Sequence, residues 1–92
     1  MRILVTRTFE RTLKKLHPPQ KAALDEVVRT LASQPDAGET KVGDLAGVLV
    51  YKFRMGKRLC LLAYRVLDEN TLKLLMVGPH ENFYRDLKRL DG

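Results

Sequence analysis

Two basic side chains, placed two positions apart, are the first residues of this sequence with a definite chemical use. Lys52 and Arg54 belong to the alternating segment from Val48 to Arg54, so in a β-strand both side chains leave the same face. Two neighbouring cations repel one another unless water or an anion neutralises them, and a phosphodiester is a suitable anion. The competing interpretation is a solvated sheet face that carries ordinary surface charges.

The segment from Gly78 to Asp86 contains the second group of candidates. His80 and Tyr84 are four residues apart, which predicts that they share one face of a helix that opens near Gly78-Pro79, with Arg85 one step round. Histidine is well suited to proton transfer near neutral pH, and an exposed tyrosine can stack on an unpaired base. The alternatives are a His80 that interacts only with its own helix end and a Tyr84 packed against the sheet edge.

Metal and nucleotide chemistry are not indicated. One cysteine and two distant histidines lack the spacing of metal ligands, and no phosphate-binding glycine loop is present. The acidic residues do not form an evident acid–base pair; they include Asp25, Glu26, Glu39 and Asp44. We therefore expect neither a metal nor a nucleotide cofactor.

Composition favours a polyanionic partner. The 92 residues include 17 Lys and Arg against 11 Asp and Glu, a net charge of +6, which favours nucleic acid or an acidic protein. Length and a hydrophobic share of 45% predict one globular domain, residues 1–92. No apolar run is long enough for a membrane span or a signal peptide, and the single cysteine favours the cytoplasm.

The first half of the chain predicts a strand and a helical hairpin. Arg2 to Val5 is a short strand candidate, Thr6 or Thr8 can cap the helix that follows, and Pro35 to Gly47 is predicted to be a loop. Two apolar stripes with helical spacing are separated by Pro18-Pro19. They consist of Phe9, Leu13 and Leu16, and of Leu24, Val27, Val28 and Leu31.

The second half predicts three strands and a last helix. Gly56-Lys57 suits a tight turn, which pairs Lys52 with Leu61 and Phe53 with Cys60 and so separates an apolar face from a basic one. The remaining segments are a strand from Leu72 to Val77 and a helix with Phe83, Leu87 and Leu90 on one face. The predicted fold class is α+β, in the order β-α-α-β-β-β-α, with the helical hairpin packed on a mostly antiparallel four-stranded sheet.

Five segments, in this order and spacing, carry a resemblance to a known family. They are Phe9–Leu16, Gly43–Gly47, Val50–Arg54, Leu62–Val66 and Val77–Arg85. Through them nearly the whole chain resembles the RelE/ParE superfamily of toxins from type II toxin–antitoxin systems.

The resemblance implies ribosome-dependent, metal-independent cleavage of messenger RNA, in which the 2′-hydroxyl of the RNA attacks the adjacent phosphorus. Lys52 and Arg54 match a basic pair of RelE-like members, and His80 and Tyr84 match a C-terminal group. The resemblance also implies a cognate antitoxin, acidic or amphipathic, that neutralises the toxin in a hetero-oligomer, with the ribosome and messenger RNA as further partners.

One position departs from the family pattern. Family members often have an arginine three residues before the tyrosine that aligns with Tyr64, and here that residue is Leu61. ParE-like relatives share the fold, lack the RelE-like set and act on DNA gyrase. Candidates for the missing cation and for further phosphate contacts are Arg58, Arg65, Arg85 and Lys88.

Three functional hypotheses follow from these residues. In an endoribonuclease, His80 is the general acid to the leaving 5′-oxygen, while Lys52 and Arg54 hold the scissile phosphate and one of them helps to deprotonate the 2′-hydroxyl. Tyr84 then stacks on or orients a base, and Arg85 stabilises charge in the transition state. The alternatives are a ParE-like gyrase inhibitor without nuclease activity and a non-toxic nucleic-acid-binding relative.

Overall fold

A computed structural model describes residues 1–91 as three α-helices and a five-stranded sheet, which confirms the predicted α+β class. A short 3₁₀ turn, Gly43–Leu45, precedes the central strands. The elements are β1 (Arg2–Val5), α1 (Arg7–Lys15), α2 (Pro18–Ser33), β2 (Glu39–Thr40), β3 (Leu49–Met55), β4 (Arg58–Asp68), β5 (Thr71–Pro79) and α3 (Phe83–Asp91).

The sheet has the order β1-β5-β4-β3-β2, and only the β1–β5 pair is parallel. All four predicted strands are present. The fifth, β2, lies in the segment that was predicted to be a loop, where Glu39 pairs with Val50 and Thr40 with Leu49. Two residues give no readable alternation, so this strand forms because β3 offers a free edge, not because of a local pattern.

The predicted register of the central hairpin is confirmed. Lys52 pairs with Leu61 and Phe53 with Cys60. The turn between β3 and β4 contains Gly56 at φ +68°, a left-handed conformation that glycine adopts without the strain of a side chain.

Helices cover both faces of the sheet, but unequally. The helical hairpin packs on one face, over a core that includes Phe9, Leu24, Leu31 and Tyr64. On the other face, α3 and the 3₁₀ turn pack on a second cluster, which includes Leu45, Val48, Val50, Leu61, Ala63, Leu75, Met76, Phe83 and Leu87. Because α3 covers only part of this second face, the end of the face near the β3–β4 turn stays open.

The last helix begins later than predicted. The sequence placed its start near Gly78-Pro79, but β5 continues to Pro79, which pairs with Cys60, and the His80 amide donates to the Leu59 carbonyl at 3.3 Å. Asn82 then has φ 61°, which turns the chain into α3 at Phe83. Strand pairing therefore prevails over the helix-opening preference of proline, and His80 lies outside the helix.

At the other end of the chain, Thr6 caps α1 as predicted, since its hydroxyl accepts from the Phe9 amide at 3.0 Å.

No helix within residues 1–91 has both the length and the apolar character that a membrane span needs.

A buried tyrosine fastens the loop between α2 and β2 to the sheet. The Tyr64 hydroxyl donates to the Pro35 carbonyl at 2.7 Å and accepts from the Gly38 amide at 2.9 Å, and the side chain is fully buried. Burial also raises the pKa of this phenol, which keeps it protonated as a donor.

We expect the substitution Tyr64→Phe to lower the free energy of unfolding by about 1–3 kcal/mol, because it leaves two polar backbone groups without their partner. The measurement is urea unfolding followed by circular dichroism. Tyr51→Phe is the matched control, because the half-buried Tyr51 makes no side-chain hydrogen bond within residues 1–91. Equal stabilities of the two variants would contradict the role given to the Tyr64 hydroxyl.

Candidate functional site

The basic pair of β3 lies on the open part of the sheet. Lys52 and Arg54 are both exposed on the face that α3 partly covers. Arg54 Nη1 donates to the Lys57 carbonyl in the β3–β4 turn at 3.1 Å. Lys52 has no ion pair or side-chain hydrogen bond among the described residues. The two cations are thus available to an anion on one surface.

His80 belongs to the same surface, and strand pairing, not a helix, places it there. Its amide extends the pairing of β5 with β4, so Arg54, Leu59 and His80 form one row across three strands. Two strand spacings separate the backbones of Arg54 and His80, about 10 Å. The side chain of His80 is exposed. A phosphate between the two is therefore within reach of a guanidinium from one side and an imidazole from the other.

A carboxylate that the sequence analysis did not select lies beside Lys52. Glu39 pairs with Val50, the neighbour of Lys52 on the same face of β3. Glu39 and Lys52 line one open depression of about 260 Å³ at the edge of the sheet. Only the pairing of β2 with β3 brings this acid to the basic pair, and β2 has no signal in the sequence.

Tyr84 is held by a second residue that the sequence analysis missed. The Lys41 ammonium lies 5.2 Å from the centre of the Tyr84 ring and 3.1 Å from Glu39 Oε1. The hydrogen bond that the Lys41 ammonium donates to Glu39 is the main cause that raises the pKa of Lys41. Phe83 contacts Tyr84 edge to face, with ring centres 5.7 Å apart. The tyrosine thus contacts the β2 edge. The prediction that Tyr84 and His80 share a helix face is wrong, because His80 lies before the start of α3.

The departure from the family pattern at position 61 has a structural counterpart. Leu61 has no exposed surface and belongs to the core cluster under α3 that includes Phe83 and Leu87. An arginine here would bury its charge beneath that helix, at a large cost in free energy unless it were paired. The position next to Lys52 on β4 therefore supplies packing and no cation.

Two of the candidate replacement cations lie away from the basic pair. Arg65 is on the same face but four residues further along β4 than Leu61, roughly 13 Å, and its Nη1 donates to the Ala46 carbonyl at 3.3 Å. Arg58 pairs with Met55 on the opposite face, where it lines a groove with Cys60. Neither arginine is placed to join Lys52 and Arg54 on one phosphate.

The two candidates on α3 are also displaced. Arg85 is half a turn from the sheet-facing residues Phe83 and Leu87, and its Nε pairs with Asp86 at 3.5 Å. It therefore faces away from the sheet and from the basic pair. Lys88 follows Tyr84 by one turn and lines an open depression with Lys41 and the 3₁₀ turn.

Metal chemistry has no ligand set in the part of the chain that the structure describes. No group of three or more His, Cys, Asp or Glu side chains converges within residues 1–91.

A single protein-family model covers nearly the whole chain. Residues 3–88 match the family model described as the ParE-like toxin of type II bacterial toxin–antitoxin systems. None of the curated proteins matches the chain.

Solved structures give the same result for the fold. A chain of the RelBE2 toxin–antitoxin complex from Mycobacterium tuberculosis is 32% identical, with a TM-score of 0.69 over 86% of this chain and 96% of that chain. The intact RelBE toxin–antitoxin complex from E. coli gives 18% identity and a TM-score of 0.71 over 87% and 96%. The YoeB dimer from Staphylococcus aureus gives 19% identity and a TM-score of 0.64 over 87% and 97%.

Proposed function

This chain belongs to the ParE-like toxin family of type II bacterial toxin–antitoxin systems, and on that premise we propose that it is an endoribonuclease that cuts messenger RNA on the ribosome. The observation that carries the proposal is the row of exposed residues on the open sheet face. Lys52 and Arg54 offer two cations there, and His80 lies across β4 from Arg54. Such a surface can hold a phosphodiester and place a proton-transfer group beside it.

In the proposed reaction the RNA supplies the nucleophile. The 2′-hydroxyl oxygen attacks the adjacent phosphorus, the bond to the 5′-oxygen of the next nucleotide breaks, and the products are a 2′,3′-cyclic phosphate and a 5′-hydroxyl. Lys52 and Arg54 neutralise the charge that grows on the phosphate oxygens during the attack. This electrostatic contribution is commonly the largest in such a site.

Two protons must move in this reaction, one from the nucleophile and one to the leaving group. A protonated lysine or arginine has no lone pair to accept a proton, whereas a carboxylate does. Glu39, in the same depression as Lys52, is therefore a better acceptor for the 2′-hydroxyl proton than either member of the basic pair. His80 donates a proton to the leaving 5′-oxygen, because it lies at the end of the row that is farthest from β3 and Glu39.

Tyr84 orients a base in this proposal. We expect Tyr84→Ala to slow cleavage by about 10- to 100-fold, because base–aromatic stacking contributes roughly 1–3 kcal/mol. Tyr84→Phe is the matched variant: it keeps the ring and should keep most of the activity. The measurement is single-turnover cleavage of ribosome-bound messenger RNA. An equal loss in both variants would assign the function of Tyr84 to its hydroxyl and contradict the stacking role.

We also propose that a cognate antitoxin neutralises the chain in a hetero-oligomer. The similar chains from Mycobacterium tuberculosis and E. coli come from toxin–antitoxin complexes. The net charge of +6 and the exposed basic face make an acidic or amphipathic partner chemically suitable. Remaining cations, including Arg58, Arg65, Arg85 and Lys88, add to the field that attracts either RNA or this partner.

The second candidate function is gyrase inhibition without nuclease activity. It is favoured by the name of the family model and by the buried Leu61, which leaves the basic pair without the arginine of RelE-like members. Mapping RNA 5′ ends after controlled expression separates the two functions. Our proposal predicts new ends confined to translated regions. Growth arrest with intact transcripts and an induced DNA-damage response would support gyrase inhibition instead.

A further inference from the structure

Strand β1 leaves one side of its backbone without a partner strand. It forms the end of the sheet, and the amides of Arg2 and Thr6 donate inward to the carbonyls of Asn70 and Leu74 on β5. In a parallel pair the residues that bond to the neighbour alternate with residues whose backbone groups point away. The N–H and C=O groups of Ile3 and Val5 therefore point outward from the sheet.

Apart from its short length and the charge of Arg2 at its start, β1 has little that protects a sheet edge. Its four residues include no proline, and the side chains of Leu4 and Val5 are 38% and 37% exposed, beside an exposed Met1. The opposite edge, β2, has only two residues and carries the ion-paired Glu39. An extended segment that pairs with β1 would satisfy the outward backbone groups and bury these apolar side chains.

Charge around β1 selects the occupant. Arg2 and Arg7 are exposed at the two ends of the strand, and Lys73 pairs with Leu4 on the neighbouring strand. Two exposed acids, Asp68 and Glu69, lie at the β4–β5 turn near Arg2; the pKa of Asp68 is lowered mainly by a hydrogen bond from the Asn70 amide and, to a smaller extent, by Arg2. A second copy of this chain would bring Arg2 and Arg7 of both molecules to the same seam, between two bodies of charge +6. The edge therefore favours an acidic strand over its own copy.

We propose that β1 is a docking edge on which an extended, acidic and apolar segment of the antitoxin adds a sixth strand to the sheet. This inference rests on the antitoxin partnership proposed above and specifies where part of the antitoxin binds. The docking edge lies at the far end of the sheet from β2 and β3, which carry Glu39, Lys52 and Arg54. A segment bound there would hold the antitoxin without itself touching the basic pair.

Amide hydrogen exchange tests the docking edge directly. The chain is measured alone and in complex with the protein encoded by the adjacent reading frame, purified by co-expression. In the free chain the Ile3 and Val5 amides should exchange quickly, while the Leu4 amide, which points to β5, is the slow internal reference. In the complex we expect the Ile3 and Val5 amides to exchange at least about tenfold more slowly.

A matched pair of variants gives an independent readout. Val5→Glu places a negative charge on the docking edge and should raise the Kd for the same partner by about tenfold or more. Val66→Glu is the control, because Val66 is exposed to a similar extent, 42% against 37%, but lies on an interior strand. Equal Kd values for the two variants would overturn the docking edge.

The remaining outcomes are also decisive. A complex in which the Ile3 and Val5 amides keep exchanging quickly overturns this inference and leaves the proposed antitoxin partnership intact. If both amides exchange slowly in the chain alone, and more slowly as its concentration increases, the edge binds a second copy and the proposal of an acidic partner is overturned. Absence of any complex contradicts the partnership itself, and the docking edge with it.

Discussion

Simultaneous replacement of Lys52 and Arg54 by alanine should lower the rate of messenger RNA cleavage at least about a thousandfold. Each cation that acts mainly on the transition state contributes roughly 2–4 kcal/mol, and each 1.36 kcal/mol is a factor of ten in rate. Both side chains are exposed, and neither belongs to a core cluster, so the fold should persist. The measurement is single-turnover cleavage on programmed ribosomes.

The control for this prediction removes the same charge elsewhere. Arg11→Ala/Lys14→Ala also lowers the net charge by two, on exposed positions of α1 across the sheet from the basic pair. It should change cleavage little if the effect belongs to the site and not to the general field of the protein. Similar losses in the two double variants would make Lys52 and Arg54 part of a diffuse attraction to RNA.

The second large effect is expected at His80. His80→Ala should slow cleavage by about 10²- to 10⁴-fold, because it removes the group that protonates the leaving 5′-oxygen. His17→Ala is the control, since His17 is the other histidine of the chain and lies at the start of α2. It should leave the cleavage rate within a few fold of the starting protein.

A modified substrate separates a proton donor from a histidine that only binds phosphate. Sulfur in place of the 5′-oxygen gives a thiolate leaving group, which departs without protonation because a thiol is far more acidic than an alcohol. On this substrate His80→Ala should cleave nearly as fast as the unmodified protein. A defect of the same size on both substrates would contradict the general-acid role and leave His80 a binding residue.

The parts of the site on β3 and β4 were predictable because several signals agree there. Alternation on β3 separates Lys52 and Arg54 from Tyr51 and Phe53, and Gly56 fixes the turn. A shift of one residue would bury the cations and expose the aromatic side chains, so only one register satisfies both faces. The structure has that register.

The rest of the site depends on long-range pairing, which the sequence does not display locally. Glu39 and Lys41 reach the basic face because β3 recruits a two-residue strand from an apparent loop. His80 reaches the basic face because β5 continues through Pro79, although a proline at this place normally opens a helix. Pro79 has no amide to donate, and in the ladder it stands between residues that do bond to β4.

The packing of α3 also escaped the sequence analysis. Its periodicity predicted a helix with Phe83 and Leu87 inward, which the structure confirms, but not which residues of the sheet it covers. Coverage of Leu61 explains why this position tolerates an apolar side chain, and the helix rotation turns Arg85 away from the sheet. Such facts follow from the packing of one element on another and not from spacing within either.

The most direct test of the central claim uses purified protein, programmed ribosomes and two messenger RNAs that differ in one atom. The first RNA is unmodified, and the second lacks the 2′-hydroxyl oxygen at the mapped cleavage position. The proposed mechanism predicts that the first is cut, leaving a 2′,3′-cyclic phosphate and a 5′-hydroxyl, while the second stays intact. Cleavage of the 2′-deoxy RNA at a comparable rate would show that another nucleophile attacks, and would contradict the mechanism built on Lys52, Arg54 and His80.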